Sequence, residues 1–147
     1  LTGKSGVGKA DLARLLEEKL FRQNFQSYLL DGRNVQLGIG ADIGDEPGVA
    51  EGEALRRFGE AAKLFLDAGH VVISTSNAFN QENHSDLRLL IEPSPLIEIH
   101  IAQEKPAHAT ADLALTQEEV KKQADAVGKI LDYLKDKKIL TGHSYSI

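Results

Sequence analysis

Gly3-Lys4-Ser5-Gly6-Val7-Gly8-Lys9-Ala10 stands almost at the first residue of the chain, and its reading decides the fold. The order is that of a G-x-x-x-x-G-K loop, in which glycines let backbone N–H groups converge on phosphate oxygens without Cβ clashes. From Lys9 onward, Leu12, Leu15, Leu16 and Leu20 recur with a helical period. A helix starting there aims the positive end of its dipole at the same phosphates, and Lys9 would reach the β- and γ-phosphates of a nucleoside triphosphate. The plainer alternative is a glycine-rich turn that happens to contain a lysine; the helix that follows favours the phosphate loop. The departure lies in the last place of the pattern. A Ser or Thr there ordinarily holds the Mg²⁺ that bridges the β- and γ-phosphates, and Ala10 has no oxygen to offer. Metal placement, and with it phosphoryl transfer, is expected to suffer more than nucleotide binding.

Outward from the loop, strand and helix signals alternate. Residues 9–23 read as the first helix and 27–30 as a short strand closed by the Asp31-Gly32 turn signal. Glycines and acids dominate 38–48, which reads as a loop. A long helix is expected over 50–68, with Leu55, Phe58, Ala62, Phe65 and Leu66 inward and Gly69 as its stop. Val71, Val72 and Ile73 make 70–74 a strand apolar enough to be buried on both faces. Residues 80–91 read as a helix ended by Glu92-Pro93-Ser94-Pro95, and 96–101 as a further strand. Thr116 and Glu119 have the spacing of a capping box. The helix they start is expected to run to Lys137 with Val120, Ala124, Val127, Leu131 and Leu134 on one face, leaving 142–147 as a tail. The alternation predicts one α/β domain over residues 1–147, a parallel sheet covered by helices on both sides in the three layers of a P-loop NTPase. Leu1 and Thr2 are too few residues for the strand that should feed the glycine loop. The natural chain is therefore expected to extend before Leu1, or to be a piece of a larger polypeptide.

Composition narrows the partners. The 147 residues are 41% apolar and 27% charged, enough to bury a core. A formal net charge of -5 with no long basic run argues against a nucleic-acid partner, which needs clustered Lys and Arg. No apolar stretch approaches a membrane span and no signal peptide is visible, so no membrane role is expected and the cytoplasm is the default. The chain has no cysteine, which excludes disulfides and thiolate metal sites. His70, His84, His100, His108 and His143 lack metal-ligand spacing and read as surface or strand-end residues, so no metal ligand is assigned. Ser74, Thr75 and Ser76 have no nucleophile-elbow context and are expected to satisfy backbone groups at the carboxyl edge of the sheet.

Beyond the glycine loop, the sequence resembles the adenylylsulfate kinase family. Tyr28-Leu29-Leu30-Asp31-Gly32-Arg33-Asn34-Val35 is similar to the family's YLLDGDNV, and Asp42-Ile43-Gly44 to the DLG of its next loop. Leu55-Arg56-Arg57-Phe58-Gly59-Glu60-Ala61-Ala62-Lys63-Leu64-Phe65 resembles IRRVGEVAKLF, continued by Asp67-Ala68-Gly69. Lys129-Ile130-Leu131-Asp132-Tyr133-Leu134 resembles the closing helix. The resemblance implies a kinase that moves a phosphoryl group from ATP, with Mg²⁺, to the 3′-hydroxyl of adenylyl sulfate (APS), giving PAPS in sulfate assimilation. It implies a nucleotide site over Gly3, Lys4, Ser5, Gly6, Val7, Gly8, Lys9 and Ala10, and catalytic roles for Lys9 and Asp31. Substrate contacts are implied for Asp31, Asn34, Arg56 and Arg57, together with association with or fusion to an ATP sulfurylase and a homo-oligomer. By residue type alone, Asp31 is either a carboxylate that orients the substrate hydroxyl or half of an Asp-Gly turn. Arg56 and Arg57 either face a ligand or pair with Glu53 or Glu60 along the helix.

Against the family pattern, positive charge is missing where a doubly anionic substrate needs it. Gln36 stands for the arginine that ends DGDNVR, and Arg33 for its second aspartate. Ala41 replaces the basic residue before DLG, Glu51 and Ala54 the first arginine and the asparagine of R-x-E-N-I-R-R. Asn77-Ala78-Phe79-Asn80 resembles the SPYR segment with its arginine lost at Asn80. Each charge-assisted contact of this kind is worth about 1.5–3 kcal/mol, and Glu51 would repel a sulfate. The family's lid is also expected to be missing, because Gln103-Glu104-Lys105-Pro106 passes almost directly to Asp112-Leu113-Ala114-Leu115-Thr116. Two readings stay open: a working ATP-dependent kinase for APS or a related hydroxyl, and a non-catalytic nucleotide-binding domain with a structural or regulatory role. A kinase for a neutral small molecule would explain the lost arginines but not Ala10.

Overall fold

The computed structural model describes residues 1–75, 81–103 and 111–141. A two-residue β1 (Thr2–Gly3) leads through the glycine loop into α1 (Lys9–Arg22). Then come β2 (Ser27–Asp31), a short α2 (Gly32–Leu37), the long α3 (Val49–Asp67), β3 (Val71–Thr75) and α4 (Gln81–Leu90). β4 (Ile99–Ala102), β5 (Leu113–Thr116), α5 (Gln117–Lys121) and α6 (Gln123–Asp136) follow. The strands pair in parallel, β1 with β4, β4 with β5, and β2 with β3. They form two sheets, β1-β4-β5 and β2-β3, and the Leu1 nitrogen, donating to the Ser74 carbonyl at 2.6 Å, brings β1 alongside β3. The carboxyl ends of β1, β2 and β3 therefore open on one side, with Asp31 level with Thr75.

The strand layer separates two cores. On one face, Leu12, Leu16 and Leu20 of α1 and Val127, Ile130 and Leu134 of α6 pack against Ile73, Ile101 and Leu115. On the other, Leu55, Phe58 and Ala62 of α3 and Leu87 of α4 cover Leu30, with Val72 partly buried beside them. Successive strand residues point to opposite faces, so Leu29 and Ile73 serve the first core and Leu30 and Val72 the second. A strand covered on both sides has no wet face, which is why β3 reads as an unbroken apolar run. The outcome is the three-layer P-loop α/β fold. Its long helix ends as expected: Gly69 takes φ 85°, and its N–H donates to the Leu66 carbonyl at 2.9 Å.

Several local readings are corrected. The last helix is not continuous to Lys137. Its capping box is present, with Glu119 N–H donating to Thr116 Oγ1 at 3.2 Å and Thr116 N–H to Glu119 Oε2 at 2.7 Å. That box ties α5 to the end of β5, and Lys122, with ψ 67°, then breaks the helix and resets its phase. Ala124 is consequently exposed, and Ala126 and Ile130 occupy the core instead. β5 lacks a period of its own over four residues and becomes a strand by pairing with β4. Ser74 does not satisfy a backbone group: its Oγ is buried with no hydrogen-bond partner among the described residues, because strand alternation turns it to the same side as Val72. His84, on α4, and His100, in β4, are both half-buried and have partners. His84 Nδ1 lies 3.0 Å from Glu98 Oε2, and Thr2 Oγ1 bridges Glu98 Oε1 and His100 Nδ1 at 2.9 Å each. Residues 76–80, the span 104–110 where the missing lid was expected, His108 and the tail 142–147 lie outside the described residues.

Candidate functional site

The loop is built around its glycines. Gly3 has φ 132°, and a Cβ there would lie 2.4 Å from the Ile101 carbonyl oxygen, so only glycine lets the loop leave β1 this close to β4. Gly8 precedes α1 in the left-handed region at φ 88°. Between them Val7 is buried and anchors the loop in the first core. Lys9, first residue of α1, is only 8% exposed. Its Nζ donates to the carbonyls of Gly3 at 2.7 Å and Lys4 at 2.6 Å. Burial holds this ammonium below the usual lysine pKa, and the two carbonyls are the contacts that keep it charged out of water. Phosphate oxygens arriving in the loop would offer stronger, fully charged partners in their place.

Asp31 ends β2 and caps α2, its Oδ1 accepting from the Arg33 N–H at 2.9 Å. This is the turn role that Asp-Gly suggested, and the same residue also faces a cavity of about 1220 Å³. Ser5, Gly6, Gly8, Lys9 and Ala10 line that cavity from the phosphate loop, and Thr75 joins Asp31 from β3. Ala10 brings a methyl group where a hydroxyl was looked for. Across from the loop stand residues of α2, of the 38–48 loop and of the start of α3. Gln36, Ala41, Glu51 and Ala54, distant along the chain, all line this one cavity.

The two arginines of α3 separate. Arg56 is exposed, off the cavity lining, and grips Glu53 with two bonds of 2.8 Å. Arg57 lines the cavity, but its guanidinium is engaged. It donates to Glu53 Oε1 at 2.7 Å, to the Ile39 carbonyl at 2.5 Å and to both carboxylate oxygens of Asp42. The hydrogen bonds from Arg56 and then Arg57 pull the Glu53 carboxyl down to about 2, and Arg57 likewise lowers Asp42. Asn34 is exposed on α2 and lies off the cavity lining. Of the residues expected to touch substrate, Asp31 and Arg57 therefore stand with Lys9 at the cavity, and Asn34 and Arg56 stand apart. The Glu53 pairs are one of the alternatives that helical spacing left open; the link from Arg57 to Asp42 spans a loop and left no signal in the sequence. Among the described residues, no three His, Asp or Glu side chains gather as a metal site, and no helix is long and apolar enough to cross a membrane.

The family model for adenylylsulphate kinase matches residues 1–130. The adenylyl-sulfate kinase of Geotalea daltonii is 41% identical over 100 residues, 68% of this chain and 49% of its own length. The chain thus spans about half the length of the curated relatives it matches. Among solved structures, a Mycobacterium tuberculosis APS kinase superposes with a TM-score of 0.75 at 28% identity, over 91% of this chain and 93% of that one. A hexameric APS kinase from Thiobacillus denitrificans gives 0.75 at 27% identity, over 95% of this chain and 28% of that one. Because the family match takes in the loop, all five strands and α6 as far as Ile130, the chain belongs to the adenylylsulphate kinase family.

Proposed function

We propose that this chain is a kinase domain that binds ATP and adenylyl sulfate but transfers the γ-phosphoryl group to the 3′-hydroxyl slowly. One observation carries the reading: Lys9 and Asp31 face the same cavity, with Ala10 on the wall where a metal-holding hydroxyl would stand. The loop N–H groups and Lys9 would bind the triphosphate, Lys9 exchanging its two carbonyls for phosphate oxygens. Asp31 would orient the acceptor hydroxyl and take its proton. Enzymes of this family use ATP with Mg²⁺, and the ion supplies charge neutralisation between the phosphates. Ala10 has no ligand atom, so in this reading a metal would be held through the phosphates and the cavity carboxylates rather than through the loop. The family membership supports a place in sulfate assimilation and association with or fusion to an ATP sulfurylase. Self-association follows the hexameric Thiobacillus denitrificans relative, and a cytoplasmic place accords with the lack of a membrane-length apolar helix among the described residues.

A second reading, a non-catalytic nucleotide-binding domain with a structural or regulatory role, is favoured by Glu51 facing the cavity beside Gln36, Ala41 and Ala54. A coupled assay of ADP release, with and without APS, separates the two. Slow release that depends on APS is expected. No release while ATP still binds in calorimetry would establish the second reading; release independent of APS would be ATP hydrolysis and would overturn both, as would absence of ATP binding.

A further inference from the structure

We infer that Arg33 holds the anionic end of the acceptor, the sulfate of adenylyl sulfate, in this chain. The inference rests on the reading that APS is the acceptor. Among the described residues, three basic side chains line the cavity, Lys9, Arg33 and Arg57. Lys9 is buried against the carbonyls of its own loop, where the nucleotide phosphates would sit. Arg57 is held by Glu53, Asp42 and the Ile39 carbonyl, and ties α3 to the 38–48 loop. Arg33 differs from both: it is exposed, and no hydrogen bond or ion pair holds its guanidinium among the described residues.

The backbone of Arg33 is nonetheless fixed. Its N–H is bonded to Asp31 Oδ1, and Val35, two residues further along α2, is buried in the second core. A free cation is thus set two residues from the carboxylate that orients the acceptor hydroxyl. Asp11, Asp45 and Glu51 also line the cavity and would repel an anion placed beside them. Arg33 is the cation left to offset them, and a guanidinium fork suits the oxygens of a sulfate as it suits those of a phosphate.

The test is calorimetric titration of APS, adenosine and ADP into the unmodified protein, Arg33→Ala and Arg33→Lys, with thermal melts of all three. Arg33→Ala is expected to bind APS about 10- to 100-fold more weakly, and Arg33→Lys to lose less. Adenosine affinity, ADP affinity and melting temperature should stay unchanged, since the guanidinium makes no hydrogen bond or ion pair among the described residues. APS affinity unchanged in Arg33→Ala would overturn the inference alone. Equal losses for adenosine and APS would overturn it too, by showing a structural role. Failure of the unmodified protein to bind APS while it binds ADP would remove the proposed acceptor and the inference together.

Discussion

At the scale of single residues, the glycine loop has its lysine, and Ala10 stands where the G-x-x-x-x-G-K pattern has Ser or Thr. Lys9 is placed by the helix it begins, and Gly3, Gly6 and Gly8 before it all take positive φ, with no room for a Cβ at Gly3. Ala10 adds nothing to this but a methyl group. Removing Mg²⁺ with EDTA should therefore change ATP affinity little in the unmodified protein, whereas Ala10→Ser should make binding clearly metal-dependent; calorimetry with and without EDTA reads both. Glu51 has a structural use as well as a cost to the site. It lies in the first turn of α3, where an acidic side chain stabilises the helix by about 0.3–1 kcal/mol. Glu51→Arg should lower thermal stability by about that much and still tighten APS binding. Turnover should rise less than affinity, because a ground-state contact is repaired while the metal stays unplaced. A larger gain in kcat than in affinity would contradict this.

At the scale of elements, legibility followed length and regularity. α1 and α3 each carry enough turns for the apolar period to show, and β3 declares itself by its unbroken Val-Val-Ile run. α2 and β5, at six and four residues, are too short for a period and exist through the Asp31 cap and the pairing with β4. The break at Lys122 has no glycine or proline to announce it. Thr116→Ala removes the hydroxyl that begins α5 and should cost about 0.5–2 kcal/mol in a denaturant melt. The joint between α3 and the 38–48 loop is the Arg57–Asp42 pair, and Glu53, on α3 itself, holds that arginine in place, so part of its pH dependence follows from Glu53. Its folded pKa, about 2, lies below the ordinary 4.5, so the network stabilises above pH 4.5 and weakens as pH falls towards 2. Melting temperature should fall more steeply over that range in the unmodified protein than in Glu53→Gln, by a small margin because these groups face solvent. Parallel slopes would show that the pairs add nothing.

At the scale of the molecule, the sheet brings scattered residues to one cavity. The glycine loop was legible because its meaning is local; the cavity wall was not, because spacing does not tell which of residues 36–54 face one another. Gln36, Ala41, Glu51 and Ala54 meet there only through the fold, where α2 and α3 close over the carboxyl ends of the strands. Their convergence puts the separate substitutions in one cavity, and the proposed slow transfer rests on that cavity lying beside the glycine loop. Transition-state stabilisation of a transferring phosphoryl group needs metal, acceptor site and loop together. Losses along one reaction path are therefore not rescued one at a time. The most direct measurement is the rate of PAPS formation by the unmodified protein at saturating ATP, Mg²⁺ and APS. The account predicts a rate far below the roughly 1–100 s⁻¹ of working kinases, and a rate within that range would contradict it.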